Sequence, residues 1–313
     1  MRRISDKFMN DLKNGLLTPI VDRVKKDDTL LLSIRDAAIN IYFRGANLLR
    51  ITDSNGYRSR FDDAHDLSPG KRDYAKLDLP PVISNLVEAE KWVSAFANLK
   101  EIIDLSRGKN PQPEKEFQQV VARENNRSGI SGKTEYFIAD IEKSESEIGA
   151  RIDMAAVRWP EKGRKDYNNY RVSFIEMKYG DAALGGRSGL VKHMADMVEF
   201  LSVNGNYARM VAMIDSQFHQ LMELNLIETG LSERTPDTQI NAASKPEFVI
   251  LIANHNPRSD KLLSILREPE FKKHADSELF DLKFVSGNGG GYALYEKYML
   301  SYAQFVQHLE AQS

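Results

Sequence analysis

Two short segments carry ionisable side chains where an apolar strand would bury them. In Arg171-Val172-Ser173-Phe174-Ile175-Glu176-Met177-Lys178-Tyr179, strand alternation puts Val172, Phe174, Glu176 and Lys178 on one face. Ser173, Ile175, Met177 and Tyr179 take the other. A carboxylate and an ammonium thus emerge side by side near the end of an apolar strand. An uncompensated carboxylate is costly to bury there, so Glu176 requires a partner, either Lys178 or a metal ion. In Arg151-Ile152-Asp153-Met154-Ala155-Ala156-Val157, Asp153 shares a face with Ala155 and Val157. If the two segments pair as an antiparallel hairpin around residues 161–169, Asp153 and Glu176 lie adjacent. Neighbouring carboxylates repel, and a divalent cation resolves the repulsion. Oxygen-only ligation favours Mg2+ or Mn2+ over zinc. The bland alternative is a buried Asp/Glu/Lys network that satisfies itself.

The elements that must position these residues are legible from pattern. Before the site, residues 5–26 have helical spacing, and strand-like runs follow at Leu30–Ile34, Ile39–Phe43, Leu48–Ile51 and Tyr57–Phe61. The Arg44–Asn47 connection and Asn55-Gly56 read as turns. A polar stretch ends at Pro80-Pro81, residues 82–105 form an amphipathic helix, and Gly108–Pro113 is a breaker cluster. Three parts are expected: an N-terminal α+β module over 1–80 containing a small antiparallel sheet, which would serve recognition or partner binding, a connecting helix and linker over 81–110, and a larger domain over 111–313 that would carry the chemistry. In the last, a helix over 113–125 precedes strands at Tyr136–Glu142, Arg151–Trp159 and Arg171–Tyr179. Helices over 190–201 and 206–227, a strand at Glu247–Ala253 and strands at Leu279–Val285 and Tyr292–Tyr298 follow. This order predicts an α/β domain built on a mixed sheet.

An Asp on one strand and Glu-x-Lys on the next, preceded by a helix bearing Glu, resembles the PD-(D/E)XK nuclease superfamily. The resemblance spans about residues 112–300 and places Glu116, Asp153, Glu176 and Lys178 on the four signature positions. It implies an αβββαβ restriction-endonuclease-like core. Asp153 and Glu176 would hold Mg2+ or Mn2+, with Glu116 and the Met177 carbonyl as further ligands. Lys178 would orient the attacking water or stabilise the transition state. Ile152 stands where the family name has proline. The second Glu-x-Lys, Glu270-Phe271-Lys272, lies in a polar stretch without strand pattern.

The implied activity is metal-dependent hydrolysis of nucleic acid, DNA rather than RNA, by an endonuclease that can act as a homodimer. Arg171, Arg187, Lys192 and His193 are candidate contacts to nucleic acid, and Lys162, Arg164 and Lys165 would hold its backbone. A solvated helix face with a Lys192–Asp196 pair is the simpler account of Lys192. The alternatives are a non-catalytic nucleic-acid or protein-binding module retaining the fold, and a hydrolase of small phosphates. Tyr42-Phe43-Arg44 and Tyr57-Arg58-Ser59-Arg60-Phe61 interleave aromatic and basic residues, which suits either a nucleic-acid platform or a sheet with its aromatics turned inward. His255 follows an apolar strand in a loop that reads as a plain turn. The Gly287–Gly291 run lacks the Gly-Lys-Ser/Thr ending of a phosphate loop.

Composition sets the outer limits. The 313 residues are 42% hydrophobic and 28% charged with net charge −2, ordinary for a globular chain and unlike a polybasic nucleic-acid binder. Residues 1–80 are different, with 15 Lys/Arg against 12 Asp and no Glu. There is no cysteine, which removes disulfides, thiolate metal sites and cysteine nucleophiles. No membrane span or secretory signal is recognisable, so a cytoplasmic location is expected.

Overall fold

The computed structural model describes residues 2–144, 151–164, 170–231, 240–287 and 291–311. Lys165, the rest of residues 165–169 and residues 288–290 of the glycine-rich run lie outside them. The chain divides into two units. The first runs to Arg123 and includes Ser216–Glu228; the second comprises Glu124–Asp215 and the residues from Thr229 onward.

The first unit opens with two helices, α1 (Asp6–Asn14) and α2 (Thr18–Lys25), where one was expected over 5–26. Gly15 is extended, and Pro19, which lacks an N–H, sits in the first turn of α2, where that lack costs nothing. Five strands follow: β1 (Leu30–Arg35), β2 (Ala38–Phe43), β3 (Ala46–Asp53), β4 (Tyr57–Arg60) and β5 (Val82–Ile83), with the short helix α3 (Arg72–Ala75) before the last. They form one antiparallel sheet in the order β1-β2-β3-β4-β5. Arg44 and Gly45 both have positive φ, giving β2 and β3 the two-residue turn whose twist suits a hairpin.

One sheet face is apolar, with Leu32, Ile34, Ile39, Ile41, Leu49 and Ile51 buried. The ring of Phe8 on α1 lies 4.8 Å from that of Tyr57 on this side. Helix α4 (Leu86–Lys109) buries Trp92, Phe96, Leu99 and Ile103, each stabilising by roughly 1.5–3 kcal/mol. The segment expected to link two modules is therefore β5 and α4 of the first unit. Of the Gly108–Pro113 cluster only Asn110, Pro111 and Gln112 separate α4 from α5 (Pro113–Asn126), and the division between units falls at Arg123/Glu124. The reason is Gln119. Its amide donates to the Thr29 carbonyl at 2.7 Å and accepts from Gly45 N at 2.8 Å, fastening most of α5 to the first unit.

The second unit contains β6 (Tyr136–Ser144), β7 (Arg151–Arg158), β8 (Arg171–Tyr179), α6 (Leu190–Ser202), the first part of α7 (Asn206–Glu223), β9 (Glu247–Ala253), α8 (Lys261–Leu266), α9 (Pro269–Ala275), β10 (Asp281–Ser286) and α10 (Tyr302–Glu310). The sheet order is β10-β9-β8-β7-β6, with β6/β7 and β7/β8 antiparallel and β8, β9 and β10 parallel. All seven residues of β9 are buried, as its unbroken apolar run predicts.

Tyr292–Tyr298 is not a strand. Asn125 takes the place of a ladder there, donating to the Tyr292 carbonyl and accepting from Leu294 N, each at 2.8 Å. Glu270-Phe271-Lys272 lies on α9, with Phe271 in the core. The chain is thus α/β with two sheets, and among the described residues no helix is long and apolar enough to cross a membrane.

Candidate functional site

β7 and β8 register Val157 with Val172, Ala155 with Phe174 and Met154 with Ile175. Asp153, Ala155 and Val157 therefore share the face of Val172, Phe174 and Glu176, as alternation requires. The ladder ends at Met154/Ile175, and the Asp153 carboxylate takes over: its Oδ2 accepts from Met177 N at 3.0 Å. Asp153 is thereby fixed beside the strand that bears Glu176.

Asp153, Glu176 and Lys178 are 4%, 2% and 3% exposed, far below the usual exposure of charged side chains. Lys178 Nζ donates to Glu176 Oε1 at 2.6 Å. His193 Nε2, from the first turn of α6, lies 3.0 Å from the same oxygen. Helix α6 reaches this face because Phe200 packs edge-on against Phe174, ring centroids 6.0 Å apart. Glu176 therefore has a strand cation on one side and a helix imidazole on the other. His193, expected to contact nucleic acid, is turned toward Glu176; its place in the turn that caps an apolar strand's helix was visible in sequence, but its direction was not.

Among the described residues, no group of three or more His, Asp or Glu side chains is arranged to hold a metal ion. The donor set suits a narrower requirement. Mg2+ keeps several of its waters and is commonly held by one or two carboxylates together with substrate phosphate. Asp153 and Glu176 can supply those two.

Glu116 belongs to the first unit. Arg44 grips it with two hydrogen bonds, Nε to Oε2 at 3.0 Å and Nη2 to Oε1 at 3.1 Å, and reaches Asp104 at 2.8 Å with Nη1. The pairing of Asp153, Glu176 and Lys178 is formed within the second unit.

The other expected cations have mixed fates. Arg171 is engaged inside the protein: it donates to Glu247 at 2.6 Å and Asp281 at 2.8 Å, in a network that Arg158 joins. Lys192 pairs with Asp196 along α6. Arg187 is exposed on a 3-10 turn over Gly186–Ser188. Arg164 is 3% exposed, and its guanidinium donates to the backbone carbonyls of Gly132 and Thr229, each at 2.6 Å, and of Trp159 at 3.1 Å and Thr134. It clamps loops of the second unit and does not face phosphate. Arg164→Met is expected to cost about 3 kcal/mol or more, because several carbonyls lose their donor at once. Denaturant unfolding measures it.

The aromatic residues Tyr42, Phe43, Tyr57 and Phe61 are buried, so the interleaved segments turn their rings inward and offer no stacking platform. His255 is held by Asp181, Nδ1 to Oδ1 at 2.7 Å, and Asn256 N donates to that same oxygen at 3.2 Å. Burial pushes the Asp181 carboxyl up, but hydrogen bonds from Ser259 and His255 outweigh it and hold the group below the usual range. Lys261 Nζ donates to the Asp181 carbonyl at 2.8 Å. These contacts fasten together the loops after β8 and β9. Asp181, three residues beyond Lys178, was not singled out by sequence because nothing in its neighbours marks a distant histidine.

No family model, curated protein or solved structure matches the chain.

Proposed function

We propose that the second unit is a Mg2+- or Mn2+-dependent phosphodiesterase acting on nucleic acid, with DNA the preferred substrate, on a restriction-endonuclease-like core. The observation that carries this reading is the convergence of Asp153, Glu176 and Lys178 on one buried face of two adjacent strands. The order β6, β7, β8, α6, β9, with β6 to β8 antiparallel and β9 parallel to β8, supports the core assignment.

Asp153 and Glu176 would hold the cation, with the Met177 carbonyl next to them in the chain. When bound, the cation lowers the pKa of a water and neutralises charge on the phosphoryl oxygens. Lys178 is a compact cation at the same face. Exchanging Glu176 Oε1 for the attacking water or a non-bridging oxygen, it would orient the one or stabilise the other. The water oxygen bonds to phosphorus, the bond from phosphorus to the leaving oxygen breaks, and that oxygen gains a proton. His193, beside Glu176, is a positioning residue for the carboxylate.

A second reading has one observation in its favour. The Lys178–Glu176 pair is 3–4% exposed and satisfies itself at 2.6 Å, as a structural ion pair in a non-catalytic binding module would. Incubating the wild type with duplex DNA, single-stranded DNA and RNA separates the two. Cleavage in Mg2+ or Mn2+ that stops on adding EDTA is expected, fastest on DNA. Binding without cleavage under all metal conditions would favour the second reading.

A further inference from the structure

The N-terminal sheet has a second face, and its chemistry is unusual. Register aligns Ser33, Asn40, Arg50 and Arg60 in one row across β1–β4, and Arg35, Ala38, Thr52 and Arg58 in the next. Apart from Ala38 these positions are polar, and three of the four arginines lie on β3 and β4. Burial grades across the face: Ser33, Arg35 and Asn40 are buried, Arg50 is half-buried, and Arg58 and Arg60 are exposed.

The interior half orders the outer one. Arg35 Nη2 and Asn40 Nδ2 donate to Tyr42 Oη at 3.0 and 2.9 Å, and Asn40 Oδ1 accepts from Arg50 Nη1 at 3.1 Å. Arg50 is thereby aimed before any ligand arrives. Among the described residues, none of Arg50, Arg58 and Arg60 pairs with a carboxylate. Arg50 and Arg60 are direct cross-strand neighbours, an arrangement of like charges that destabilises a sheet. Burial pulls Arg50 below its usual value, and the charges of Arg60, Arg35 and Arg2 add to the effect. Local choices that work against folding are expected at functional positions.

We propose that this face binds the phosphodiester backbone of nucleic acid through Arg50, Arg58 and Arg60. Neighbouring strands lie about 4.8 Å apart and alternate residues about 6.8 Å apart, so the cations form a grid that several phosphates can meet at once. Guanidinium groups grip phosphate oxygens in pairs. An acidic protein is the weaker match, because a protein interface needs an apolar centre and the accessible part of this face, Arg50, Thr52, Arg58 and Arg60, has none. With Tyr42, Phe43, Tyr57 and Phe61 all buried, no ring is offered for stacking, and the contact reads backbone and not bases. The choice of nucleic acid among polyanions rests in part on the phosphodiesterase reading, and the test is therefore run without metal.

The full chain in EDTA is titrated with labelled random-sequence duplex DNA, single-stranded DNA and RNA at several salt concentrations, with polyglutamate as competitor. Binding by the wild type is expected. Arg58→Gln/Arg60→Gln should weaken it by roughly 10- to 100-fold at 0.1 M salt and flatten the duplex salt dependence by about 1.8, near 0.9 per charge removed. Arg50→Gln should weaken it on its own. Melting temperatures of the variants should stay at or above that of the wild type, since like charges are being separated. No binding by the wild type, unchanged affinity and salt slope in the double variant, or displacement by polyglutamate at equal charge would each overturn the proposal. A failure to cleave with this binding intact would count against the metal site alone.

Discussion

Lys178→Ala is expected to slow single-turnover cleavage by roughly 10²–10⁴-fold while substrate affinity stays near that of the wild type. Lys178 is 3% exposed and its amine is directed to Glu176 Oε1, so it has no access to the nucleic-acid backbone outside the site. Its effect should therefore fall on the chemical step. The substitution also leaves Glu176 with fewer cations around it, so loss of fold must be separated from loss of chemistry. Lys178→Met keeps the apolar stem and supplies that control. Both variants should lose cleavage together, whereas their stabilities should differ. A rate within a few-fold of the wild type in either would remove Lys178 from the reaction.

Glu176→Gln is expected to destabilise the second unit by about 3 kcal/mol, because it leaves the Lys178 ammonium buried without its carboxylate. Adding Lys178→Met should restore most of that loss, since replacing both members of a buried pair is often neutral or better. Cleavage should stay absent in the double variant. Recovery of stability without recovery of activity would show that the pair serves function at a cost to folding. A neutral Glu176→Gln, followed by denaturant unfolding, would mean that the pair contributes little to folding.

The sequence foretold the second unit better than the boundary between units. β8 and β9 fall where their apolar runs placed them, and alternation, joined to the expected antiparallel pairing of the two segments, set Asp153 and Glu176 on a common face. Those features depend on local period, which a single chain displays. The boundary did not depend on local period. Gly108–Pro113 breaks a helix, and whether a break between helices is also a break between domains is decided by the Gln119 contacts to Thr29 and Gly45, which are remote in sequence. The same holds for Glu116: its position in a first helical turn was legible, its capture by Arg44 was not. Arg164 and Arg171 read as contacts to a nucleic-acid backbone, because composition cannot say whether a guanidinium meets phosphate, a carbonyl or Glu247. One missed element did carry a signal. Ser301 and Gln304 form a reciprocal capping box at the start of α10, and that pattern is readable in the residues themselves.

Asp153→Asn gives the most direct measurement. Asparagine keeps a carbonyl oxygen to accept from Met177 N, so the strand junction survives while the charge that would hold a cation is lost. Cleavage of labelled DNA is followed with and without Mg2+, alongside melting in EDTA. The wild type should cut only with metal, and the variant should melt as the wild type does and leave the DNA intact. Equal cutting by the two proteins would contradict a metal-dependent reaction at Asp153, Glu176 and Lys178.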